Sequence, residues 1–207
     1  MKLKQAQAAG RLHFPEDEKR QPWLALLLEI QHLTNQGVAA AIQADGRKLA
    51  CARGCASCCR THTDIPVYPL ELMGIAWYVS ERLATEKGDD VRARVRHQLQ
   101  HHRDLDACPF LVDEACAIHP LRPMACRQFN VFNTVCATGE DAFHTRLGDV
   151  LQPDAKRKNE ALREMLRHHG IKEGRERRRL VETGEVHRLA QSLREMRWET
   201  LAARMPG

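Results

Sequence analysis

The sequence predicts a mostly α fold: a small helical domain around two loop-rich cysteine segments, with a C-terminal helical extension. Apolar residues recur at helical spacing in five stretches of the chain, and no alternation of strands and helices indicates an α/β sheet. Two stretches without this spacing, residues 49–68 and 107–150, contain all eight cysteines. A chain of 207 residues can bury a core of its own, so its size alone does not require metal or disulfide cross-links.

The N-terminal part of the chain is predicted to contain one long helix. Residues 1–21 form a polar segment, of which residues 1–20 are expected to fray. Pro22 suits a first helical turn, and the helix is predicted to end near Asp45 and Gly46. Its apolar face consists of Trp23, Leu26, Leu27, Ile30, Leu33, Val38, Ala41 and Ile42.

Two further helical stripes follow in the middle of the chain. Pro69 and Gly88 bound the first stripe, and the second covers residues 91–105. His102 belongs to the second stripe, so it is interpreted as a half-buried core residue rather than a ligand. Residues 65–68 are predicted to form a short extended piece. The apolar positions are Leu72, Ile75, Ala76, Val79 and Leu83 in the first stripe, and Val91, Val95, Leu99, His102 and Leu105 in the second.

Two helices are predicted in the C-terminal part. The first begins near Asp154 and ends at Gly170, and the second follows Gly184. Their apolar positions are Leu162, Met165 and Leu166, and then Val186, Leu189, Ala190, Leu193, Met196 and Leu201. The chain is therefore divided into a polar N-terminal segment, a cysteine-bearing domain and a basic helical extension, at residues 1–21, 22–150 and 151–207.

The charge of the chain lies in its C-terminal part. The formal net charge is +5, and residues 153–207 account for all of it, with 14 basic and 9 acidic side chains. Glutamates alternate with the arginines there, which is typical of solvated helix faces. Trp198 is the only aromatic residue of this part, so nucleic-acid binding is not predicted. The helices of residues 151–207 are instead predicted to be able to dock a protein partner.

The N-terminal sequence predicts a cytoplasmic protein that does not enter a membrane. The apolar run Trp23–Leu28 is too short to span a bilayer, and residues 16–18 are acidic where a signal peptide needs apolar side chains. The cytosol keeps thiols reduced, and a bridge between the neighbours Cys58 and Cys59 would be strained. The cysteines therefore indicate metal ligation rather than disulfides.

The eight cysteines form two clusters along the sequence. A two-residue gap such as that between Cys55 and Cys58 lets a turn direct two sulfurs at one ion. Thiolates suit both zinc and iron–sulfur centres, so residues 22–150 are predicted to be a cysteine-cluster metal-binding domain. All eight cysteines are predicted metal ligands, four within nine residues and four at gaps of 7, 9 and 9 residues: Cys51, Cys55, Cys58 and Cys59, then Cys108, Cys116, Cys126 and Cys136.

Eight thiolates exceed the needs of one mononuclear site. A zinc ion and an iron–sulfur cluster each take four, so two sites or one polynuclear cluster is the economical hypothesis. The side chains of Cys58 and Cys59 should diverge, and we expect them to serve different metal atoms. Four thiolates around a divalent ion leave two formal negative charges. Neighbouring arginines can balance these charges, and the candidates are Arg53, Arg60, Arg122 and Arg127.

Three linked blocks of sequence carry a family resemblance. They are the knot from Cys51 to Cys59, the block Cys108-Pro109-Phe110-Leu111, and the block Cys116-Ala117-Ile118-His119-Pro120-Leu121-Arg122-Pro123-Met124-Ala125-Cys126-Arg127. With Cys136 as the last cysteine, residues 49–137 resemble the cysteine-cluster family often called YkgJ-type, whose members are regarded as zinc- or iron-chelating. The family pattern has two residues between its first two cysteines, whereas this chain has three between Cys51 and Cys55. His119 stands where tyrosine is common in the family and adds a ninth potential ligand.

The resemblance leaves two kinds of function open. It implies a cytosolic zinc- or iron-binding protein without an assigned reaction. A flagellin lysine N-methylase is similar in the same cysteine block, so an iron–sulfur-dependent or S-adenosylmethionine-dependent protein-modifying enzyme is the alternative. Cys51, Cys55 and Cys58 match the spacing that leaves one iron of a four-iron cluster open, but Ser57 and the missing strand–helix repeats disfavour radical chemistry. No residue is assigned as catalytic or cofactor-binding.

Overall fold

Helices make up most of the part of the chain that the computed structural model describes, residues 10–52 and 54–205. The prediction of a mostly α fold is confirmed. A π-helical segment, Tyr78–Arg82, joins α4 to α5. The α-helices are α1 Pro15–Arg20, α2 Pro22–Asp45, α3 Ser57–Thr61, α4 Pro69–Trp77, α5 Leu83–Lys87, α6 Asp89–Gln100, α7 Met124–Gln128, α8 Ala142–Thr145, α9 Ala155–Met165, α10 Gly174–Glu182 and α11 Trp198–Ala202.

Two small antiparallel sheets complete the regular structure of the described residues. Pairing of β1 with β4 sets Pro66 opposite Ser192, and pairing of β2 with β3 sets Leu111 opposite Cys116. The predicted extended piece at residues 65–68 is confirmed by β1. The strands are β1 Pro66–Val67, β2 Leu111–Val112, β3 Ala115–Cys116 and β4 Gln191–Ser192, and the 3-10 turns are His102–Asp104, His119–Leu121, Leu147–Asp149, Leu166–His169, Glu185–Leu189 and Leu193–Glu195.

The long helix α2 begins and ends where its sequence predicts. Pro22 occupies the first turn, and Gly46 ends the helix in a left-handed conformation (φ 75°), which glycine adopts without steric cost. Leu24 and Leu28 are buried beside the predicted Leu27, because α2 packs against α4 on one side and α9 on another. A helix with neighbours on several sides buries more than one stripe.

Gly74 of α4 lies close to α2. A β-carbon added at Gly74 would lie 2.2 Å from the Leu27 Cδ2 atom. The missing side chain therefore lets the two helix backbones come together, which fixes α4 and the segment leading into it against α2. The predicted helical stripe from Pro69 to Gly88 is confirmed, with the π-helical segment in its middle.

The N-terminal prediction is wrong for residues 15–20. These residues form α1 instead of fraying, and the Asp17 side chain is only 1% exposed. Asp17 accepts hydrogen bonds from Arg20 and from Arg82 of the π-helical segment. This helix is held by a contact with a residue distant in sequence. Local spacing of apolar residues therefore could not indicate it. Residues 1–9 lie outside the described residues.

The C-terminal part follows the prediction only at first. Asp154 caps α9 by accepting a hydrogen bond from Arg157 N at 2.8 Å, and Gly170 ends the following turn in a left-handed conformation. The helix predicted after Gly184 is wrong over residues 185–195, which form two 3-10 turns around β4, whereas Trp198–Ala202 is α-helical. Leu193 N donates to Ile65 O at 2.8 Å, so pairing with the distant β1 segment overrides the local apolar spacing.

The buried apolar side chains belong to two clusters of very different size. The main core joins residues of α2, α4 and α9 with others from the C-terminal part, such as Trp198. A small cluster contains Val131, Ala142 and Val150. Residues on both sides of the predicted boundary at 150 and 151 share the main core, and the division itself stays a prediction.

Within residues 10–52 and 54–205, none of the helices combines the length and the apolar composition that a bilayer-spanning segment needs.

Candidate metal centre

The first cysteine segment is held by residues 131–132. Leu49 forms a β-bridge with Phe132, and Ala50 N donates to Val131 O at 2.8 Å. Val131 N donates in turn to the Cys51 Sγ atom at 3.3 Å. Beyond a turn at Gly54 (φ 85°), Cys58 and Cys59 lie on the short helix α3.

The second segment returns to the same place through a hairpin and a short helix. Cys108 N donates to Cys59 O at 2.7 Å, which fixes Cys108 beside α3. The hairpin of β2 and β3 then carries Cys116, and α7 carries Cys126. Cysteines that are up to 68 positions apart in sequence thus meet around α3.

Four thiols form what we call the inner group: Cys58, Cys108, Cys116 and Cys126. Burial raises the pKa of Cys108 to about 12, and burial is also the main reason why the pKa values of Cys116 and Cys126 are raised. The charges of neighbouring thiols raise these pKa values further, and such an interaction connects every pair within the inner group. The four thiols therefore lie near enough to one another for their charges to interact.

Three other thiols form what we call the outer group: Cys51, Cys55 and Cys136. Burial raises the pKa of Cys51 to about 11, and the charges of Cys55, Cys58 and Cys136 raise it further. Burial also raises the pKa of Cys136, with an added contribution from Cys55, so each pair within the outer group interacts. Cys51 and Cys136 pack against the small apolar cluster, whereas Cys108, Cys116 and Cys126 belong to or border the main core.

Cys58 of the inner group interacts with its neighbour Cys59, which belongs to neither group. The pKa of Cys58 is raised, first by its hydrogen bond with the Cys59 thiol and then by burial. Cys58 also interacts with Cys51 of the outer group, while Cys59 packs against the main core. That these two residues serve different metal atoms stays a prediction.

Backbone N–H groups donate to four of the sulfurs, one of which is the Cys58 thiol, the acceptor of Cys59 N. Phe110 N donates to the Cys108 thiol, Ile118 N donates to the Cys116 thiol, and Val131 N donates to Cys51. Each of these hydrogen bonds lowers the thiol pKa, because it stabilises the thiolate more than the thiol. A metal needs the thiolate, so the hairpin and the 131–132 segment favour the form of the cysteine that ligates.

Two of the four arginines predicted to balance thiolate charge lie beside the inner group. The charge of Arg122 lowers the pKa values of Cys58, Cys116 and Cys126, and Arg127 does the same for Cys116. Arg60 is instead paired with Glu114, so its predicted role is not supported by its contacts. Arg53 lies outside the described residues.

Two cationic neighbours were missed by the sequence analysis. Arg194 lies close enough to lower the pKa of Cys108, and Arg146 Nη2 donates to the Cys136 Sγ atom at 3.6 Å. Arg194 is distant in sequence from Cys108, and Arg146 lies outside the cysteine blocks. Because arginine is frequent throughout the chain, no spacing along the sequence indicates these two residues.

Buried hydrogen bonds of Arg127 and Glu71 hold α7, the helix that carries Cys126. Arg127 is 6% exposed and donates from Nε to Arg122 O at 2.9 Å and from Nη1 to Asn35 Oδ1 at 3.2 Å. Burial lowers the pKa of Arg127 to about 9, so the guanidinium stays charged at neutral pH. Glu71 of α4 is 1% exposed and accepts from Met124 N at 2.6 Å, at the start of α7.

Glu71 also accepts from Tyr68 N at 3.0 Å, so its carboxyl group links the first turns of α4 and α7. Glu71→Ala is expected to lower the free energy of unfolding by about 2–4 kcal/mol, because two buried N–H groups lose their acceptors. Glu71→Gln keeps one acceptor and should cost about half as much. Urea denaturation measures both effects. The exposed Glu86→Ala on α5 is the control, and an equal effect of Glu86→Ala and Glu71→Ala would contradict the role of the link.

Histidines contribute little to the thiol groups. Loss of hydration lowers the pKa of His119 to about 4, and Arg122, Arg127 and Lys87 lower it further. This positive surrounding does not favour a metal cation on His119. His62 Nε2 lies 3.2 Å from Asp141 Oδ1, and His102 is buried with Nδ1 3.1 Å from Leu99 O, which confirms its interpretation as a core residue.

The eight cysteine thiols are suitable ligands for a metal ion. They are not arranged as a complete coordination shell. All eight cysteines are free thiols. Among residues 10–52 and 54–205, no three Cys, His, Asp or Glu side chains are already grouped so that they could hold a metal ion. The buried Nε atom of Arg122 has no hydrogen-bond partner among the described residues, although its charge acts on three inner thiols. A metal-bound thiolate would supply the acceptor that this N–H group lacks.

Comparison with known proteins agrees with the site. Residues 50–146 match the model of the family CxxCxxCC, described as "Putative zinc- or iron-chelating domain". No curated protein and no solved structure matches the chain. The matched range contains all eight cysteines and ends at Arg146, which donates to Cys136. Residues 50–146, slightly less than half of the chain, are therefore similar to the CxxCxxCC family.

Proposed function

We propose that this protein binds zinc or iron through the thiolates of the inner group, Cys58, Cys108, Cys116 and Cys126. The observation that carries the proposal is the convergence of these four thiols, each interacting with the other three, from a helix, a loop, a hairpin and a second helix. Four thiolates are the complete ligand set of a structural zinc site and of an iron–sulfur cluster.

The charges around the inner group support a tetrathiolate centre. Four thiolates and a divalent ion carry two formal negative charges, and Arg122 and Arg127 supply two positive ones. The backbone N–H groups of Phe110 and Ile118 donate to sulfur, and the buried Nε–H of Arg122 would donate to a metal-bound thiolate. Such donors orient ligands and stabilise their charged form.

A bound metal would act first as a structural link. It would join α3, the β2–β3 hairpin and α7, which are far apart in sequence. Structural zinc contributes about 10–16 kcal/mol of binding free energy in small peptides, which is comparable to the stability of a whole domain. The proposal assigns no reaction to the centre, and the protein-modifying alternative stays a prediction.

The metal is identified by anaerobic purification of the full chain, followed by elemental analysis, acid-labile sulfide assay and an absorption spectrum. We expect at least one zinc or iron per chain. Colourless protein with stoichiometric zinc supports a zinc site, and brown protein with labile sulfide supports an iron–sulfur cluster. A chain that contains neither metal, and that takes up neither after reduction and reconstitution, would contradict the proposal.

We also propose that the protein resides in the cytosol. A reduced cytosol keeps all eight thiols available for ligation, which is consistent with their free state. A protein partner on the C-terminal helices also stays a prediction. On α10, Arg177 and Arg179 are paired with Glu164 and Glu176, so part of its charge is already used within the chain.

A further inference from the structure

We propose that the tip of the β2–β3 hairpin, residues 112–116, is a flap that opens without the rest of the fold and controls when solvent reaches the Cys116 thiol. The flap goes beyond the proposed function, because it concerns motion of the backbone rather than ligation. Its support comes from the strain of the turn, the exposed ion pairs that close it, the space beneath it and the packing of its base.

The turn of the hairpin is strained. Val112 pairs with Ala115, so Asp113 and Glu114 alone connect the two strands. Both have a positive φ, 49° for Asp113 and 58° for Glu114. Two-residue hairpin turns of this kind favour asparagine, aspartate and glycine. Glutamate is unsuited to the left-handed region, because its Cβ atom crowds the next carbonyl oxygen, so the closed turn stores strain at Glu114.

Two exposed ion pairs hold the strained turn against neighbouring helices. Arg94 of α6 donates from Nη1 to both carboxylate oxygens of Asp113, at 2.8 and 2.6 Å, and Arg60 of α3 is paired with Glu114. The side chains of Asp113 and Glu114 are 72% and 62% exposed. Exposed ion pairs contribute little free energy, and salt weakens them. The closed flap is therefore only slightly favoured over an open one.

The space beneath the flap is incompletely filled. Gln98 Nε2 donates to Leu111 O at 3.0 Å, but the buried Oε1 atom of Gln98 has no hydrogen-bond partner among the described residues. Water that enters when the flap opens would donate to this oxygen, which offsets part of the cost of opening. The space is a cleft of about 220 Å³ between α6 and the hairpin, lined by Arg94, His97, Gln98, Val112 and Asp113.

The base of the hairpin is firmly packed, which confines the movement to the flap. Phe110 is fully buried and contacts Trp198 edge-on, with the ring centroids 5.0 Å apart. Ala117 N donates to Phe110 O at 2.8 Å and closes the hairpin below the flap. Between this base and the turn, only two residue pairs join the strands, and opening the flap separates both of them.

Cys116 is the thiol that the flap carries. In the closed hairpin it lies opposite Leu111 and is partly buried. Opening the flap separates Cys116 from Leu111 and brings the thiol into contact with water. Cys108 precedes the hairpin and is 7% exposed, so it stays buried when the flap opens. A reagent from solvent should therefore reach Cys116 before Cys108.

Hydrogen exchange in the reduced full chain, as purified, tests the flap. Arg94→Ala should speed the exchange of the amides of residues 112–116 about two- to fivefold, the range for the loss of one exposed ion pair. High salt should speed it in the wild-type chain but not in the double variant of Arg60→Ala and Arg94→Ala, in which neither turn pair remains. After chelator treatment, iodoacetamide labelling of Cys116 should rise by the same factor in Arg94→Ala, with no change at Cys108.

In the Arg60→Ala background, Glu114→Gly should slow the exchange, because glycine relieves the turn and no ion pair of Glu114 remains to be lost. Arg179→Ala on α10 is the matched control, since it removes similarly exposed ion pairs, and it should leave the flap unchanged.

Unchanged exchange of the flap in Arg94→Ala would overturn the inference. Equal acceleration at the flap, at Ala117 and at Cys108 would overturn it too, because the whole core would then be loosened. Neither result bears on the proposed function, which the metal content of the same sample tests.

Discussion

Cys126→Ser is expected to remove the inner metal and to lower the melting temperature of the protein by about 8–16 °C. The reason is the size of the lost contribution: even about 4 kcal/mol of the binding free energy of a structural metal corresponds to such a shift in a chain of this length. Cys126 is carried by α7, so its loss also frees the segment that Glu71 and Arg127 tie to the core. Metal content per chain and thermal melting by circular dichroism measure the effect.

The control for Cys126→Ser is Cys136→Ser, which makes the same chemical change outside the inner group. It should keep the inner metal and lower the melting temperature by only a few degrees. Chelator treatment of the wild-type chain should reproduce the Cys126→Ser melting curve, with helices α2 and α9 retained in the main core. Equal melting and equal metal content in wild type and Cys126→Ser would contradict the ligand assignment.

The apparent affinity of the inner group for zinc is expected to rise by as much as about 10,000-fold for each unit of pH between about pH 6 and 8. Burial raises the pKa of Cys108 to about 12 and raises those of Cys116 and Cys126. The pKa of Cys58 is raised first by its hydrogen bond with Cys59 and then by burial. All four thiols are therefore protonated in the metal-free chain at neutral pH. Zinc must displace four protons, and each displaced proton contributes about one power of ten per pH unit.

Proton release is the direct measurement for this prediction. Zinc added to the metal-free Cys136→Ser variant in weak buffer with a pH indicator should release about four protons per ion. Release of one proton or none would contradict the four-thiolate assignment. The stability of the metal-free chain depends on pH in the opposite direction to its zinc affinity. The native state holds its thiol protons more tightly than the unfolded state does. Its stability should therefore fall as the pH rises from about 9 towards 12.

The sequence was sufficient for the helices whose ends carry a strong local signal. Pro22 with Gly46, and Asp154 with Gly170, predict α2 and the α9 segment because capping and the left-handed glycine conformation depend only on nearby residues. The helix predicted after Gly184 failed because the pairing of β4 with β1 joins residues about 125 positions apart. No local pattern contains that contact.

The cysteine-bearing segments could also be predicted, but their grouping could not. Spacing along the chain places Cys58 with its neighbours Cys55 and Cys59, whereas the fold brings it to Cys126 through α3 and α7. Glu71 was missed too, although one signal was present. A lone glutamate at the third position of an otherwise apolar helix, two residues after Pro69, often caps that helix. Its second role, holding Met124 N, depends on tertiary packing alone.

The number of sulfur ligands at the inner site is the quantity that decides this account. X-ray absorption at the zinc edge of the zinc-loaded Cys136→Ser variant isolates that site, since the outer group is incomplete there. Four sulfur neighbours at about 2.3 Å, falling to three when Cys126→Ser is combined with it or disappearing with the metal, are the predicted result. A shell made mainly of nitrogen and oxygen atoms, or one unchanged by the loss of Cys126, would contradict it.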